Sequence, residues 1–290
     1  MIAVTGGSGF IGRNLLNSLE GEKINVDFTQ SSKHPAMDPY FFLLGLENGT
    51  ITPDVILHNG ACSSTTVSDP HYVMTVNLEY SQRLLKVCMK KGIRLIYASS
   101  ASVYGDGPFM EIASKKPKNL YALSKAMFDD YATAFEGHAP QIVGLRYFNV
   151  YGPHESHKGD MASVMYKFFQ QVKSGAHITL FENSDKYIRD FIYVNDIVAI
   201  NKFFIENKEV SGIFNAGTGK ARSFYDIAKI YTDTYETEIN EVKMPKKLVG
   251  KYQEFTQSDN LKLNEVFTHT FYTLEEGVQD YIKLLESQCA

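Results

Sequence analysis

The chain has 290 residues, 44% hydrophobic and 21% charged, enough for a sizeable core and unlike a disordered composition. A formal net charge of -4, with basic clusters only at 115–118 and 243–251, argues against a dedicated nucleic-acid binder. No apolar run reaches the roughly 18 residues a membrane span needs, and the three scattered cysteines, Cys62, Cys88 and Cys289, suggest a reducing compartment without a disulfide framework. No cationic segment and apolar run open the chain, so no signal peptide is expected and the cytoplasm is the expected location.

Residues 2–4 predict a short buried strand that feeds directly into Gly6, Gly7, Ser8, Gly9, Phe10, Ile11 and Gly12 and then a helical run over 14–19. Strand, glycine loop and helix together are the context for binding a pyrophosphate on backbone N–H groups and a positive helix end. A tight strand–helix turn explains the glycines alone. A second strand is expected over 24–29. Dinucleotide folds place an acid at its end, about 20 residues past the loop, on the ribose 2′-OH. That place falls near Thr29 or Gln30, followed by Ser31, Ser32 and Lys33, with Asp27 too early. Hydroxyls and a lysine without a carboxylate suit a 2′-phosphate, so NADP is favoured over NAD; an exposed polar loop explains the same residues. The short connection to a helix over 38–46 predicts an open adenine end. A strand over 54–58 ends in Asn59, Gly60, Ala61, Cys62 and Ser63, small enough for backbone contact with a cofactor, and His58 reads as an ordinary strand histidine.

A long amphipathic helix over 70–91 and a strand over 94–98 lead to Ser99 and Ser100. A hydroxyl at the C-terminal end of a parallel strand lies on the ligand side of an open sheet. The helix expected over 119–135 carries Tyr121 and Lys125, four apart and therefore on one face. A lysine beside a phenol stabilises the phenolate and lets it take a proton from an alcohol; alone, the pair could equally be a surface pair. A strand over 142–148 completes an alternation of strands and helices that predicts an α/β fold, a doubly wound, mostly parallel Rossmann sheet. Beyond residue 153 the pattern predicts a loop over 154–160, a helix over 161–173 and a strand over 178–181. Segments 190–194, 196–205 and 212–215 then return to the sheet, and helices over 223–235 and 273–286 follow. The expected division is a Rossmann domain over 1–150, with 190–218 returning to it, and a smaller interleaved α/β substrate region over 151–189 and 219–290. His154, Glu155 and His157 lack zinc-like spacing, so no metal is expected.

The glycine loop, Ser100, Tyr121, Lys125 and the segment from Arg189, Asp190 and Phe191 to Asp196 resemble the extended short-chain dehydrogenase/reductase family of nucleotide-sugar epimerases. The segments 60–66, 146–153, 157–159, 180–182 and 252–257 resemble the branch of that family acting on an ADP-activated heptose. The resemblance implies that Phe10, Ile11, Asn59, Gly60, Ala61, Cys62, Ser63, Asn77, Lys125, Val150 and Lys158 contact the dinucleotide. It makes Tyr121 one acid/base and Lys158 the other, where the residue alone would read as a solvated loop lysine. It assigns the sugar nucleotide to Asn149, Phe181, Glu182, Ser184, Arg189 and Tyr252, with Ser100 holding the reacting oxygen. Arg189 as a structural ion pair with Asp190 or Asp196, Tyr252 as core and Ser100 as a backbone cap stay open. Asp160, Lys167 and Asn183 depart from the serine, histidine and glycine of the pattern at further substrate positions, and the segment near 30–39 is shorter.

The implied reaction inverts C6 of the heptose by transient oxidation to a ketone and re-reduction on the opposite face. The implied setting is a homo-oligomer that feeds lipopolysaccharide biosynthesis. Two other readings remain: another nucleotide-sugar epimerase or reductase of the family, and a dinucleotide-binding sensor without catalysis. A dehydratase would want a carboxylate pair after Ser100, where Ala101 and Ser102 stand.

Overall fold

The computed structural model describes residues 1–29, 35–138, 140–245 and 254–289. The strands are β1 (Ile2–Thr5), β2 (Lys23–Val26), β3 (Val55–His58), β4 (Arg94–Ser100), β5 (Ile142–Tyr147), β6 (Asn149–Tyr151), β7 (Ile178–Phe181), β8 (Ile188–Tyr193), β9 (Gly212–Ala216), β10 (Ala221–Ser223) and β11 (Ile239–Val242). Six of them form a parallel sheet in the order β2-β1-β3-β4-β5-β9. Its central strands are covered on both faces, which is why β3 and β5 are buried at every residue and read as continuous apolar runs. β2 and β3 lie on opposite sides of β1, so a crevice opens above the strand ends where the winding reverses.

Helices flank the sheet. α1 (Phe10–Ser18) follows the glycine loop, and α2 (Pro39–Asn48) starts at a proline under an Asp38 cap that accepts from the N–H groups of Tyr40 and Phe41. The single helix expected over 70–91 is α3 (Pro70–Met74) and α4 (Tyr80–Lys91) joined by a π turn, Thr75–Glu79. α5 (Leu120–Thr133) is capped by Asn119 through the N–H of Ala122. Beyond it come α6 (Val164–Lys173), α7 (Val194–Glu206), α8 (Phe224–Thr234), α9 (Leu261–Asn264) and α10 (Leu274–Cys289). Aromatic and aliphatic residues of α6, α8 and α10 bury a second core with Tyr151, Phe191 and Tyr193. No helix of the described residues is long and apolar enough to cross a membrane.

Two expectations are corrected. Segment 190–194 does not rejoin the main sheet: β8 pairs with β6 and antiparallel with β10 in a three-stranded sheet, while β9 takes the open edge of β5. Asp190 fixes it there, accepting from Thr218 N, Thr218 Oγ1, Gly219 N and Ser258 N. β2 ends at Val26, three residues early, because Asp27 turns the chain: its carboxylate accepts from Thr29 N at 2.9 Å and from Ser8 N at 3.0 Å.

The face of α5 behind the crevice carries a buried ion pair. Asp129 and Arg146, 0% and 1% exposed, meet at 2.8 Å; Tyr97 donates to Asp129, and Arg146 donates to the hydroxyl of Tyr104. Asp129→Ala would leave the guanidinium buried without its partner. Urea unfolding should show a loss of about 3–5 kcal/mol, and a loss below about 1 kcal/mol, the scale of an exposed pair, would contradict this account.

Candidate active site

A cavity of about 710 Å³ lies over the C-terminal ends of β1, β3 and β4. Gly6, Gly9, Phe10, Ile11 and Gly12 line it from the loop and α1, and Asn59, Gly60, Ala61, Cys62 and Ser63 from the end of β3. Ser100, Tyr121, Lys125, Val150 and Lys158 line it as well. Gly6 has φ +69°, and a Cβ there would meet Gly60 N at 2.7 Å; a Cβ on Gly12 would meet Gly6 O at 2.1 Å. The loop thus folds tightly against the start of α1 and the end of β3 because these two positions carry no side chain.

The floor is held by a chain of polar groups. Gly60 N–H donates to Thr5 Oγ1, which stands 2.6 Å from His58 Nδ1; His58 Nε2 stands 2.8 Å from Ser81 Oγ, which donates to Asn77 O. Because the Ser81 proton goes to Asn77, His58 donates from Nε2 and accepts at Nδ1, a neutral tautomer. Burial, with Lys125 adding to it, lowers the His58 pKa to about 3. The π turn aims Asn77 at the backbone of Cys62: Oδ1 accepts from Cys62 N, and Nδ2 donates to Cys62 O and Ser124 Oγ. Asn77 does not line the cavity; it supports the segment that does.

On one wall, Ser100, Tyr121 and Lys125 come together. Lys125 Nζ is buried, donates to Ala98 O at 2.8 Å and lies 6.0 Å from the centre of the Tyr121 ring. Burial lowers its pKa to about 8, partly offset by Asp129 one turn further along α5. Burial pushes the Tyr121 phenol up, and the hydrogen bond with Ser100 pulls it down. The serine hydroxyl opposes the effect of burial on the phenol, and the Lys125 ammonium stands on the same wall. Ser100 also accepts from Ser102 N and Ser102 Oγ, as the capping reading of this residue expects. Lys158 lines the cavity with its Nζ 5.0 Å from the centre of the Phe10 ring and 4.0 Å from a Glu155 carboxylate oxygen. Burial lowers its pKa; Glu155 raises it and Lys167 lowers it further.

Sequence reasoning missed several lining residues: Thr5, Arg13, Asp27, Phe28, Tyr40, Tyr80, Tyr147 and Phe148 among them. Phe28, Tyr40 and Tyr80, stepping 5.7 and 6.0 Å between ring centres, wall the end expected to be open. Asp27, set aside as too early, is the first residue past β2 and the findable signal, since an aspartate followed two residues on by a free N–H makes its own strand-ending turn. The arrangement fits a nicotinamide dinucleotide. No side chain caps α1, whose N-terminus faces the cavity, and the buried Asn59 Oδ1 and Ser99 Oγ line it without a hydrogen-bond partner.

A sequence profile of the NAD dependent epimerase/dehydratase family matches residues 2–217. The chain belongs to this family. It is 43% identical, over 99% of its length and 98% of the relative's, to ADP-L-glycero-D-manno-heptose-6-epimerase of Brachyspira hyodysenteriae. Among solved structures it resembles the enzyme of that name from Helicobacter pylori, with TM-score 0.86 and 28% identity, covering 99% of this chain and 96% of the other. UDP-glucose 4-epimerase of Thermotoga maritima matches with TM-score 0.87 and 25% identity, covering 100% and 99%. The family expectation drawn from the motifs is borne out, and so is the Rossmann architecture.

In this epimerase/dehydratase chain the described residues expected to hold the sugar nucleotide, Ser100 apart, do not line the dinucleotide cavity. Asn149 is exposed at the start of β6, Phe181 ends β7, and Glu182 and Asn183 are exposed on the following turn, Asn183 with φ +61°. Ser184 is buried with its hydroxyl unpartnered. Arg189, buried on β8, donates to Ile188 O and lies over the Phe224 ring at 5.7 Å, while Asp190 and His269-bonded Asp196 have other partners. Asp160 and Lys167 are both exposed and are linked by a 2.7 Å bond from Lys167 Nζ to Asp160 O. Tyr252 lies outside the described residues. The described acids and histidines form no metal-binding cluster.

His58 supplies a pH test of the floor. A folded pKa of about 3 against 6.5 unfolded means that its contribution is complete above pH 6.5 and is lost as pH falls towards 3. Unfolding free energy should fall by up to about 1.4 kcal/mol per pH unit below 6.5 from this residue. His58→Gln should flatten that slope in urea titrations at pH 7 and 5.5; identical slopes would refute the neutral tautomer.

Proposed function

We propose that this chain is an NAD(P)-dependent epimerase that inverts C6 of an ADP-activated heptose through a transient ketone. One observation carries the reading: a cavity fit for a dinucleotide has Ser100, Tyr121 and Lys125 on one wall and a second, half-buried amine, Lys158, lining it as well. The near full-length relation to a protein named as an ADP-heptose epimerase supplies the substrate class.

A bound nicotinamide dinucleotide would supply the hydride acceptor and donor. Tyr121 takes the C6 hydroxyl proton, Ser100 holds the reacting oxygen, and Lys125 sets the local charge and holds the ribose. The N-terminus of α1 and the glycine loop carry the pyrophosphate. Inversion requires the ketone to turn over so that the opposite face meets the same hydride donor. Its oxygen then points away from Tyr121, and Lys158 protonates it there. Asn149, Phe181, Glu182, Ser184 and Arg189 hold the sugar nucleotide, with Arg189 as the diphosphate partner. The changes at Asp160, Lys167 and Asn183 favour a second reading, a different nucleotide sugar turned over by the same chemistry. Cytoplasmic, homo-oligomeric enzyme is the setting that goes with either; size-exclusion chromatography tests the latter part.

Between NADP and NAD the residues pull in opposite directions. Lys33, which favoured NADP, lies outside the described residues, whereas Asp27 puts a carboxylate at the end of β2, where it penalises a 2′-phosphate. Asp27→Asn should shift the ratio of dissociation constants about tenfold towards NADP, an effect of about 1.4 kcal/mol; an unchanged ratio would remove Asp27 from the ribose site.

Proton NMR of ADP-D-glycero-D-manno-heptose with the pure protein tests the whole reading. Appearance of the C6-inverted product without added cofactor is expected, and no conversion would point to another sugar. Tyr121→Phe should lower turnover by about 10²–10⁴-fold. Full activity in that variant would remove Tyr121 from the acid/base role.

A further inference from the structure

We propose that Glu155 is the positioning residue for Lys158: it holds the ammonium at the cavity and keeps it protonated for its turn as the acid. This rests on the reading of Lys158 as the second acid/base.

Glu155 is fully buried, which a carboxylate tolerates only when its oxygens are occupied. Oε1 accepts from Ser163 Oγ at 2.6 Å and from Gly152 N at 3.4 Å; Oε2 accepts from Ser163 N at 2.6 Å. Oε2 is also the atom 4.0 Å from Lys158 Nζ, the sole ion pair of Lys158 among the described residues. One carboxylate thus ties together the end of β6, the cap of α6 and the lysine between them. Lys158 N also donates to Glu155 O at 3.0 Å, which closes the turn that carries both side chains.

The surroundings make the charge consequential. Phe10, from α1, presents its ring to the ammonium, and Lys167, from α6, adds a like charge. Both burial and Lys167 push Lys158 towards the neutral amine, which has no proton to give; Glu155 opposes them. From behind, Tyr281 of α10 and Tyr231 of α8 feel the carboxylate, burial and then Glu155 raising the Tyr281 phenol, so both stay neutral hydroxyls and add no second negative charge there. His157, next to Lys158, lines the same cavity. In the step this serves, the hydride returns to the ketone carbon as a proton passes from Lys158 Nζ to the ketone oxygen. A C–H and an O–H bond form, the ketone is reduced, the dinucleotide is oxidised, and Lys158 is left as a neutral amine that recovers its proton from solvent water.

The pH dependence of kcat for epimerisation, with KM for the sugar nucleotide measured alongside, tests this. Glu155→Gln keeps the shape and most of the hydrogen bonds and removes the charge. The high-pH limb should move down by at least about one unit, a tenfold change in the ionisation ratio, with KM nearly unchanged. Glu155→Asp, which retains the charge but draws it back, should shift the limb less and serves if the glutamine variant does not fold. Ser163→Ala, which removes a hydrogen bond and no charge, should lower stability without moving the limb. A limb in Glu155→Gln and Glu155→Asp that coincides with the parent's would overturn the proposal. Lys158→Ala separates the two claims: if it epimerises normally, the assignment of Lys158 itself has failed, whereas a dead Lys158→Ala beside an unshifted Glu155→Gln sinks only the role of Glu155.

Discussion

Asp129 stands one helical turn beyond Lys125 on α5, and its buried pairing with Arg146 of β5 fixes how that helix lies on the sheet. Tyr97 of β4 donates to the same carboxylate, so three elements share one charge. With the helix held there, Lys125 reaches the carbonyl of Ala98 near the end of β4 and Tyr121 reaches Ser100. Removing one partner of such a pair strands the other in a low-dielectric interior, which is costlier than never having had either. The wall that carries Ser100, Tyr121 and Lys125 is therefore positioned from behind, by residues that do not line the cavity.

Two lysines line the cavity. Lys125 and Lys158 are both buried enough to lose protons more readily than a free lysine, and each has an acid that restrains the loss, Asp129 for one and Glu155 for the other. The two acids differ in kind: Asp129 is itself ion-paired with an arginine, while Glu155 is otherwise held by neutral hydrogen-bond donors. Burial is the main influence on both lysines, but among the described residues the carboxylate beside Lys158 has no arginine partner of its own. That asymmetry suits one lysine that sets a local charge and another that exchanges a proton.

Much of this was legible in the residues because the signals are local. Glycines at 6, 9 and 12 after a strand, hydroxyls at the end of β4, and Tyr121 with Lys125 on one helix face each follow from spacing alone, and the order of strands and helices gives the sheet. What stayed hidden depends on contacts distant in sequence. Arg146 reads as part of a strand until Asp129 is beside it, and Asp190 looks like an ion-pair partner until backbone groups at 218, 219 and 258 converge on it. The π turn that aims Asn77 breaks no periodicity strong enough to notice, and the early stop of β2 hid Asp27 because strand ends depend on what the next residues bond to. The placing of β8 in a second sheet was likewise beyond reach, since an apolar strand of six residues fits either sheet equally well.

The central claim is that C6 is inverted by hydride departure and return inside one cavity, with Tyr121 and Lys158 moving only the oxygen-bound proton. Turnover of ADP-heptose carrying deuterium at C6, in ordinary water, measures this directly by mass spectrometry of the product. The account predicts inverted product with the deuterium still on carbon, because a hydride held between substrate and dinucleotide does not exchange with solvent. Deuterium replaced by solvent hydrogen would mean that the carbon is deprotonated instead, and the redox account would be wrong.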